Sequence, residues 1–366
     1  MASIGNFITS SINAFCQPSI LFTVSCILFY LVFFRWREKF AEKKTLYWIE
    51  GSMAVFILVS CLNPTFKDVV TKPDNIPIVG MLFLVVFFTW LAVHKMVIND
   101  RLIDEGKDVE NKKEAKELVF TWPDLVFSEF ICAIVAWCVL LVWSIVLKAP
   151  LEEPANPVET PNPSKAPWYF LGLQEMLVYY DPWLAGVVFP SLIVVGLILI
   201  PFIDINPKGN GYYTFKERKL AITSFMFGFL ILWILLIIYG TFLRGPNWNF
   251  FGPYEVWDLH KLEVLKNVNL SEYLFRSTGL NGGKLPDNPF IREGLGMFLV
   301  IGYFVSGTIL LQKKWMKDLY EKMGKPRFYI LAGLLLSMGA LPIKMVLRWM
   351  INLKYIVAIP EWFFNI

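Results

Sequence analysis

The sequence predicts an all-α polytopic membrane protein of about eight transmembrane helices, with both termini on the outer side of the membrane. Three observations carry this. The chain is 56% hydrophobic and only 17% charged, with a mean hydropathy of +0.53, whereas an ordinary soluble domain is about 25% charged. Apolar runs stand at 18–34, 47–62, 77–97, 124–147, 183–203, 220–243, 294–311 and 327–347, each close to the roughly 20 residues a helix needs to cross the hydrocarbon. Lys and Arg, finally, concentrate on alternate loops.

Helices are the expected form of every run, because unpaired backbone groups in lipid cost several kcal/mol each and the runs are too long for barrel strands. The first 17 residues contain no Lys or Arg and no small-residue cleavage pattern, so 18–34 reads as a retained span. The second run, which contains Glu50, is the marginal one. Loop 1–2 holds Arg35, Arg37, Lys39, Lys43 and Lys44; loop 3–4 holds Lys95, Arg101, Lys107, Lys112, Lys113 and Lys116. Loop 5–6 holds Lys208, Lys216, Arg218 and Lys219; loop 7–8 holds Lys313, Lys314, Lys317, Lys322, Lys325 and Arg327. These four loops take most of the 34 basic residues and are therefore expected on the inner side. Segment 244–292 works against the rule with six basic residues, among interleaved acids.

Between spans three and four, 104–117 mixes acidic and basic residues and reads as a solvated linker. The expected divisions are 1–117, a three-helix region with this linker; 118–243, a three-helix region with a special outer loop; 244–292, an ordered outer segment; and 293–366, two helices with an interfacial tail. No fixed-period repeat supports an inverted-repeat transporter. The basic residues form no stripe of the kind that binds nucleic acid. Two histidines, His94 and His260, and five cysteines with no Cys-x-x-Cys-His motif exclude a c-type haem attachment and two bis-histidine haems. His94, His260 and Glu129 read as packing, loop and headgroup residues, with contacts to a metal or haem across an interface as the alternative for the histidines. Cys26, Cys61, Cys132 and Cys138 lie in or at the ends of apolar runs and read as packing thiols.

The outer stretch after span four is the most specific. Five prolines between Pro154 and Pro167 preclude a regular element. Trp168 to Tyr179 then reads as a short apolar helix with Gln174 and Glu175 as its polar groups, and Asp181 caps the next span. Asn156-Pro157-Val158-Glu159-Thr160-Pro161 and Ala166-Pro167-Trp168-Tyr169-Phe170 on this side, with Pro201-Phe202, Asn206-Pro207 and the following Lys216, Arg218 and Lys219 on the other, resemble the C-terminal half of cytochrome b. They resemble equally its separately encoded form, subunit IV of chloroplast-type bf complexes. The resemblance covers about 118–243.

That resemblance implies a haem-free subunit of a cytochrome bc-type quinol:cytochrome c oxidoreductase in a bacterial inner or other energy-transducing membrane. Helices here would wall a quinol oxidation pocket. One electron would leave to a Rieske iron-sulfur protein and the other to haem b, both on partner chains, the haem on a cytochrome b N-terminal subunit, within a dimeric complex that serves cytochrome c. Pro167, Trp168, Tyr169, Phe170 and Leu171 would contact quinol, with a hydroxyl offered by Tyr169. The family places a Glu where this chain has Pro167, so Glu175, two helical turns from Trp168 on nearly the same face, becomes the expected proton acceptor, with Glu159 and Asp181 as further candidates. Lys208, Lys216 and Arg218 would contact an inner quinone or anionic lipid; no metal site is expected. The alternatives are a haem-free quinone-binding anchor of another respiratory complex and a structural subunit with a degenerate quinone site.

Overall fold

The computed structural model describes residues 2–109, 119–149, 151, 154–206, 213–261, 263 and 266–366, with side chains from residue 5 onward. From the N-terminus, α1 (Ala2–Phe15) leads into α2 (Pro18–Arg35), and α3 (Lys43–Ser60) is followed by α4 (Ile76–Asp104). Next come α5 (Thr121–Val146), the short α6 (Leu171–Met176), α7 (Leu184–Ile203) and α8 (Phe215–Leu243). Segment 244–292 contains α9 (Leu270–Thr278) and precedes α10 (Gly294–Trp315) and α11 (Lys325–Ile351). A two-stranded antiparallel ribbon, β1 (Ala358–Ile359) with β2 (Phe364–Asn365), closes the tail.

Seven of the described helices are long and apolar enough to cross a membrane: α2, α4, α5, α7, α8, α10 and α11. The second apolar run is helical too, but Lys43, Lys44 and Glu50 put three charges into its 18 residues. Side-chain contacts show what α3 does. At one end of the bundle Trp90 donates to the Glu42 carbonyl at 3.2 Å, His94 Nδ1 meets the Ala41 carbonyl at 2.8 Å, and Arg37 approaches Asp100 at 3.6 Å. At the other end Ser60 Oγ pairs with Tyr254 Oη at 2.6 Å, and Tyr254 N donates to Asn13 Oδ1 at 3.0 Å. So α3 runs from one end to the other, about 27 Å at the helical rise, antiparallel to α4.

The tail returns to the second end, where Asn365 and Tyr355 both reach Asp181 Oδ1 at 3.3 and 3.4 Å. Asn13 and Asn365 therefore lie at the same end as α6, while the described helices long and apolar enough to cross number seven, one fewer than the eight expected, because the charges of Lys43, Lys44 and Glu50 set α3 apart. Tyr47, Trp48, Leu58 and Val59 on α3 face outward, as a lipid-facing helix requires.

The main core lies at the α6 end. Phe22 of α2, Met176 of α6, Tyr179 and Tyr180 just beyond it, Ala185 of α7, Leu236 and Tyr239 of α8 and Met345 of α11 pack into one cluster. A second cluster, with Phe33, Val93, Met96 and Phe215, closes the opposite end between α2, α4 and α8. The first residues of α10 carry the tail: Glu293 is buried and accepts from Ala358 N at 3.0 Å, and a Cβ on Gly296 would overlap the Ile356 carbonyl. In contrast, every residue of α5 is exposed within this chain.

Candidate functional site

The geometry of the 154–181 loop starts from Pro167, which has no N–H to give and sits extended just before the helical turn. Trp168–Phe170 make a single tight turn, closed by Phe170 N on the Pro167 carbonyl at 2.9 Å, and α6 follows for six residues. The helix expected to run to Tyr179 thus ends early, and Leu177 to Tyr180 continue as turns that drive Tyr179 and Tyr180 into the core. Glycines let α6 lie directly on α8. A Cβ on Gly240 would stand 3.0 Å from both the Cβ and the carbonyl oxygen of Leu171, and one on Gly172 would stand 3.4 Å from Ile237. The face of α6 that touches α8 is Leu171, Gly172, Glu175 and Met176, all buried.

Glu175 is wholly enclosed. Its Oε1 accepts from Arg244 Nη2 at 2.7 Å, and its Oε2 accepts from Arg244 Nε at 2.9 Å and from Trp248 Nε1 at 3.1 Å. Arg244 also donates to the Trp248 carbonyl at 3.0 Å. Burial works against the Arg244 cation, but the Glu175 charge and hydrogen bonds outweigh it and hold its pKa above the usual value. Burial, then the same carboxylate, pushes the Tyr179 phenol up.

The proline-rich loop is fixed to this pair from the other side. Asn162 and Asn247 exchange two hydrogen bonds, at 2.7 and 2.9 Å. Gln174 accepts from Ala166 N at 2.9 Å and donates to the Ser164 carbonyl at 2.8 Å, so α6 holds the loop strand that carries Lys165. Lys165 Nζ donates to the Thr241 carbonyl at 2.9 Å and lies 4.9 Å from the Trp257 ring centre. Its pKa is pushed down to about 7 by burial, with Lys72 and Arg244 lowering it further and Asp74 and Glu175 opposing. Between this loop and α6 opens a cleft of about 420 Å³, lined by Lys165, Ala166, Phe170, Leu173, Gln174 and Leu177 among others.

The expected site residues are thus distributed over several surroundings. Phe170 lines the cleft, while Leu171 is buried on Gly240. Trp168 and Tyr169 are 39% and 51% exposed, and the Tyr169 ring leans on Trp233 of α8 at 5.3 Å. Glu175 does not line the cleft: it is wholly buried, with three donors on its carboxylate. Glu159 is exposed on the loop, and Asp181 receives Trp183 N at 3.4 Å, as a cap, together with the two tail contacts. Lys208 lies outside the described residues. Lys216 pairs with Asp104 at 2.7 Å and Arg218 forms a two-pronged pair with Asp204 at 2.7 and 2.8 Å. The Arg218 hydrogen bonds hold the Asp204 carboxyl below the usual carboxylate range.

Sequence reasoning did not single out Arg244, Trp248, Thr241 or Lys165. The available signal was Arg244 itself, a basic residue directly at the end of a span expected to face outward, against the charge rule. His94 is held by Ala41 and stacks on Trp90 at 4.8 Å, and His260 sits in an exposed turn at the opposite end, so the two histidines do not share an iron. Among the described residues no three His, Cys, Asp or Glu side chains are grouped to hold a metal ion.

Residues 154–253 match the family model for cytochrome b(C-terminal)/b6/petD. The match begins past α5 and ends beyond Trp248, so it takes in the loop, the cleft, the Glu175–Arg244 pair and both helices that frame them. No solved structure matches the chain. The motifs at the two ends of α7, the site geometry and the family match converge on the same stretch: residues 154–253 are similar to the C-terminal part of cytochrome b, within a longer chain whose described residues form seven helices long and apolar enough to cross a membrane.

Proposed function

We propose that this chain is a subunit of a bc-type quinol:cytochrome c oxidoreductase and forms part of its quinol oxidation site, at the α6 end of the bundle. The observation that carries the reading is the coincidence of the family match at 154–253 with the cleft beside α6. A quinol ring needs a flat apolar surface, a hydrogen-bonding partner for a hydroxyl and a route for its protons. Phe170, Leu173 and Leu177 supply the surface, Trp168 and Tyr169 the aromatic rim, with the Tyr169 hydroxyl available to the ring's oxygen. Glu175 acts as a positioning residue, locking α6 and the loop against Arg244.

One electron leaves to a Rieske iron-sulfur cluster and from there to cytochrome c, and the other to a haem b in a cytochrome b N-terminal subunit, both groups lying on partner chains. The exposed α5 supports this reading, since a helix apolar on all sides packs on lipid or on another subunit. The α6 end is then the outer, electropositive side, in agreement with the Lys and Arg distribution, and both termini face it. Purification of the native complex with subunit identification and reduced-minus-oxidised spectra tests the reading. Haem b and an iron-sulfur protein should copurify with this chain, with quinol-dependent reduction of cytochrome c; a stable complex that lacks both overturns it.

A further inference from the structure

Among the described residues that line the cleft beside α6, α7 contributes one, Gly186, and neither backbone nor packing asks for glycine there. Its conformation is helical, not left-handed, and a Cβ built on it would meet no atom within 4 Å. Gly172 and Gly240 differ, since each lets α6 lie against α8. Glycine inside a helix weakens it, because no residue loses more freedom on folding, yet the space beside position 186 stays empty of protein. Ala185, one place earlier, is wholly buried in the main core, whereas Gly186 is exposed. Successive helical residues stand about 100° apart, so this turn anchors itself with Ala185 and shows bare backbone to the cleft.

The same turn is widened. Phe189 N reaches back five residues to the Leu184 carbonyl instead of four, an irregularity that recurs where helices serve a site. The other side of the cleft is filled and fixed: α6 contributes Phe170, Leu173 and Leu177, and Gln174 spends its amide on Ser164 and Ala166 of the loop. Free width is left at α7. The cleft, about 420 Å³, lies in the range that takes a drug-sized ligand, more than a single six-membered ring fills.

We propose that Gly186 is a specificity-determining residue: the space its missing side chain leaves admits the second ring of a fused, two-ring quinol. The hydroxyl-bearing ring rests on Phe170 and Leu173, and the fused ring, which carries no oxygen and needs no polar partner, covers the backbone at 186. The proposal rests on the quinol-site reading and names the ring class that the site takes. Selectivity follows from volume. One methylene more or less in an apolar pocket shifts kcat/KM about 10–200-fold, and the wider ring meets an added group first. Valine is the sharpest probe, because its branched side chain is stiff at χ1 in a helix and its methyls stay where they are put.

The test is steady-state oxidation, by the intact complex in membranes, of a reduced benzoquinone and a reduced naphthoquinone that carry the same short alkyl chain, for wild type, Gly186→Ala and Gly186→Val. Partition of each quinol into the membrane is common to all three complexes, so the ratio of kcat/KM for the two-ring over the one-ring quinol isolates the cleft. That ratio should fall about threefold in Gly186→Ala and about tenfold or more in Gly186→Val. An unchanged ratio in Gly186→Val, whether the two rates hold or fall together, overturns the assignment, as does a wild-type complex that oxidises the one-ring quinol alone. Where wild type oxidises the two-ring quinol alone, a stepwise fall of its kcat/KM from Gly to Ala to Val supports the assignment and a constant value overturns it. The open space at 186 lets either side chain enter without moving a neighbour; where Gly186→Val nonetheless fails to assemble, Gly186→Ala decides alone. A wild-type complex that oxidises neither quinol overturns the quinol-site reading itself, and the assignment with it.

Discussion

Glu175 and Arg244 stand 69 positions apart and meet in the interior of the site. Taking one member of such a buried pair away leaves the other charge without compensation, which costs about 3–5 kcal/mol, whereas replacing both with apolar groups of similar volume is often close to neutral. Glu175→Gln should therefore lower the thermal stability of the detergent-solubilised complex sharply, and Glu175→Leu combined with Arg244→Met should recover most of the loss. Equal destabilisation by the single and the double variant would show that the pair is not a coupled unit. Quinol oxidation that stays unchanged in an assembled Glu175→Gln complex would remove Glu175 from the positioning role. The sequence suggests one face for Trp168 and Glu175, but the tight turn at Trp168–Phe170 precedes α6, and Trp168 is half-exposed where Glu175 is buried. The environment of Glu175 was not legible, because Arg244 looks like one of several loop cations until α8 brings it against α6. Lys165 was hidden for a related reason: in a run of five prolines a lysine reads as solvated, and only the Gln174 staple and Trp257 show it half-buried.

At the scale of elements, the site depends on how closely α6 approaches α8. With 3.0 Å between a Cβ on Gly240 and the Leu171 backbone oxygen, any side chain at 240 must push α6 outward, and overpacking of this kind costs about 1–3 kcal/mol. Gly240→Val should leave the span inserted and the subunit assembled, yet lower quinol oxidation about tenfold by displacing the Phe170 face; Gly240→Ala should do the same to a smaller degree. A Gly240→Val complex with wild-type kcat and KM would show that this contact does not set the cleft. The spans were legible from apolar runs, because lipid leaves a helix as the only way to satisfy the backbone. The 168–179 element was legible as helical and interfacial but not in its length. Its early end comes from Tyr179 and Tyr180, whose burial among Phe22, Leu236 and Met345 outweighs a further turn of helix.

Over the whole molecule, the contacts at both ends fix a parity that composition leaves open. Seven of the described helices are apolar enough to cross on their own account, while α3 carries three charges and is held at its ends by Glu42 against Trp90 and by Ser60 against Tyr254, from which we predict an eighth crossing. In a background without native cysteines, Lys44→Cys and Lys67→Cys should react with an impermeant thiol reagent from opposite sides of the membrane. Labelling of both from one side would contradict the eight-crossing fold. The expected sidedness of the loops rests on Lys and Arg alone, and 244–292 runs against the count; there Lys261 is occupied by Glu255 at 2.7 Å and Arg292 by Glu361 at 2.9 Å, so part of that excess is neutralised locally.

A quinol oxidation site walled by the 154–181 loop and α6 should be accessible to photolabelling. With an azido-substituted quinol analogue in active native membranes, mass spectrometry should find adducts on the segment from Lys165 to Leu177, suppressed by excess unlabelled quinol. Membranes that turn over quinol through this complex, with competable label elsewhere and none between residues 154 and 181, would contradict it.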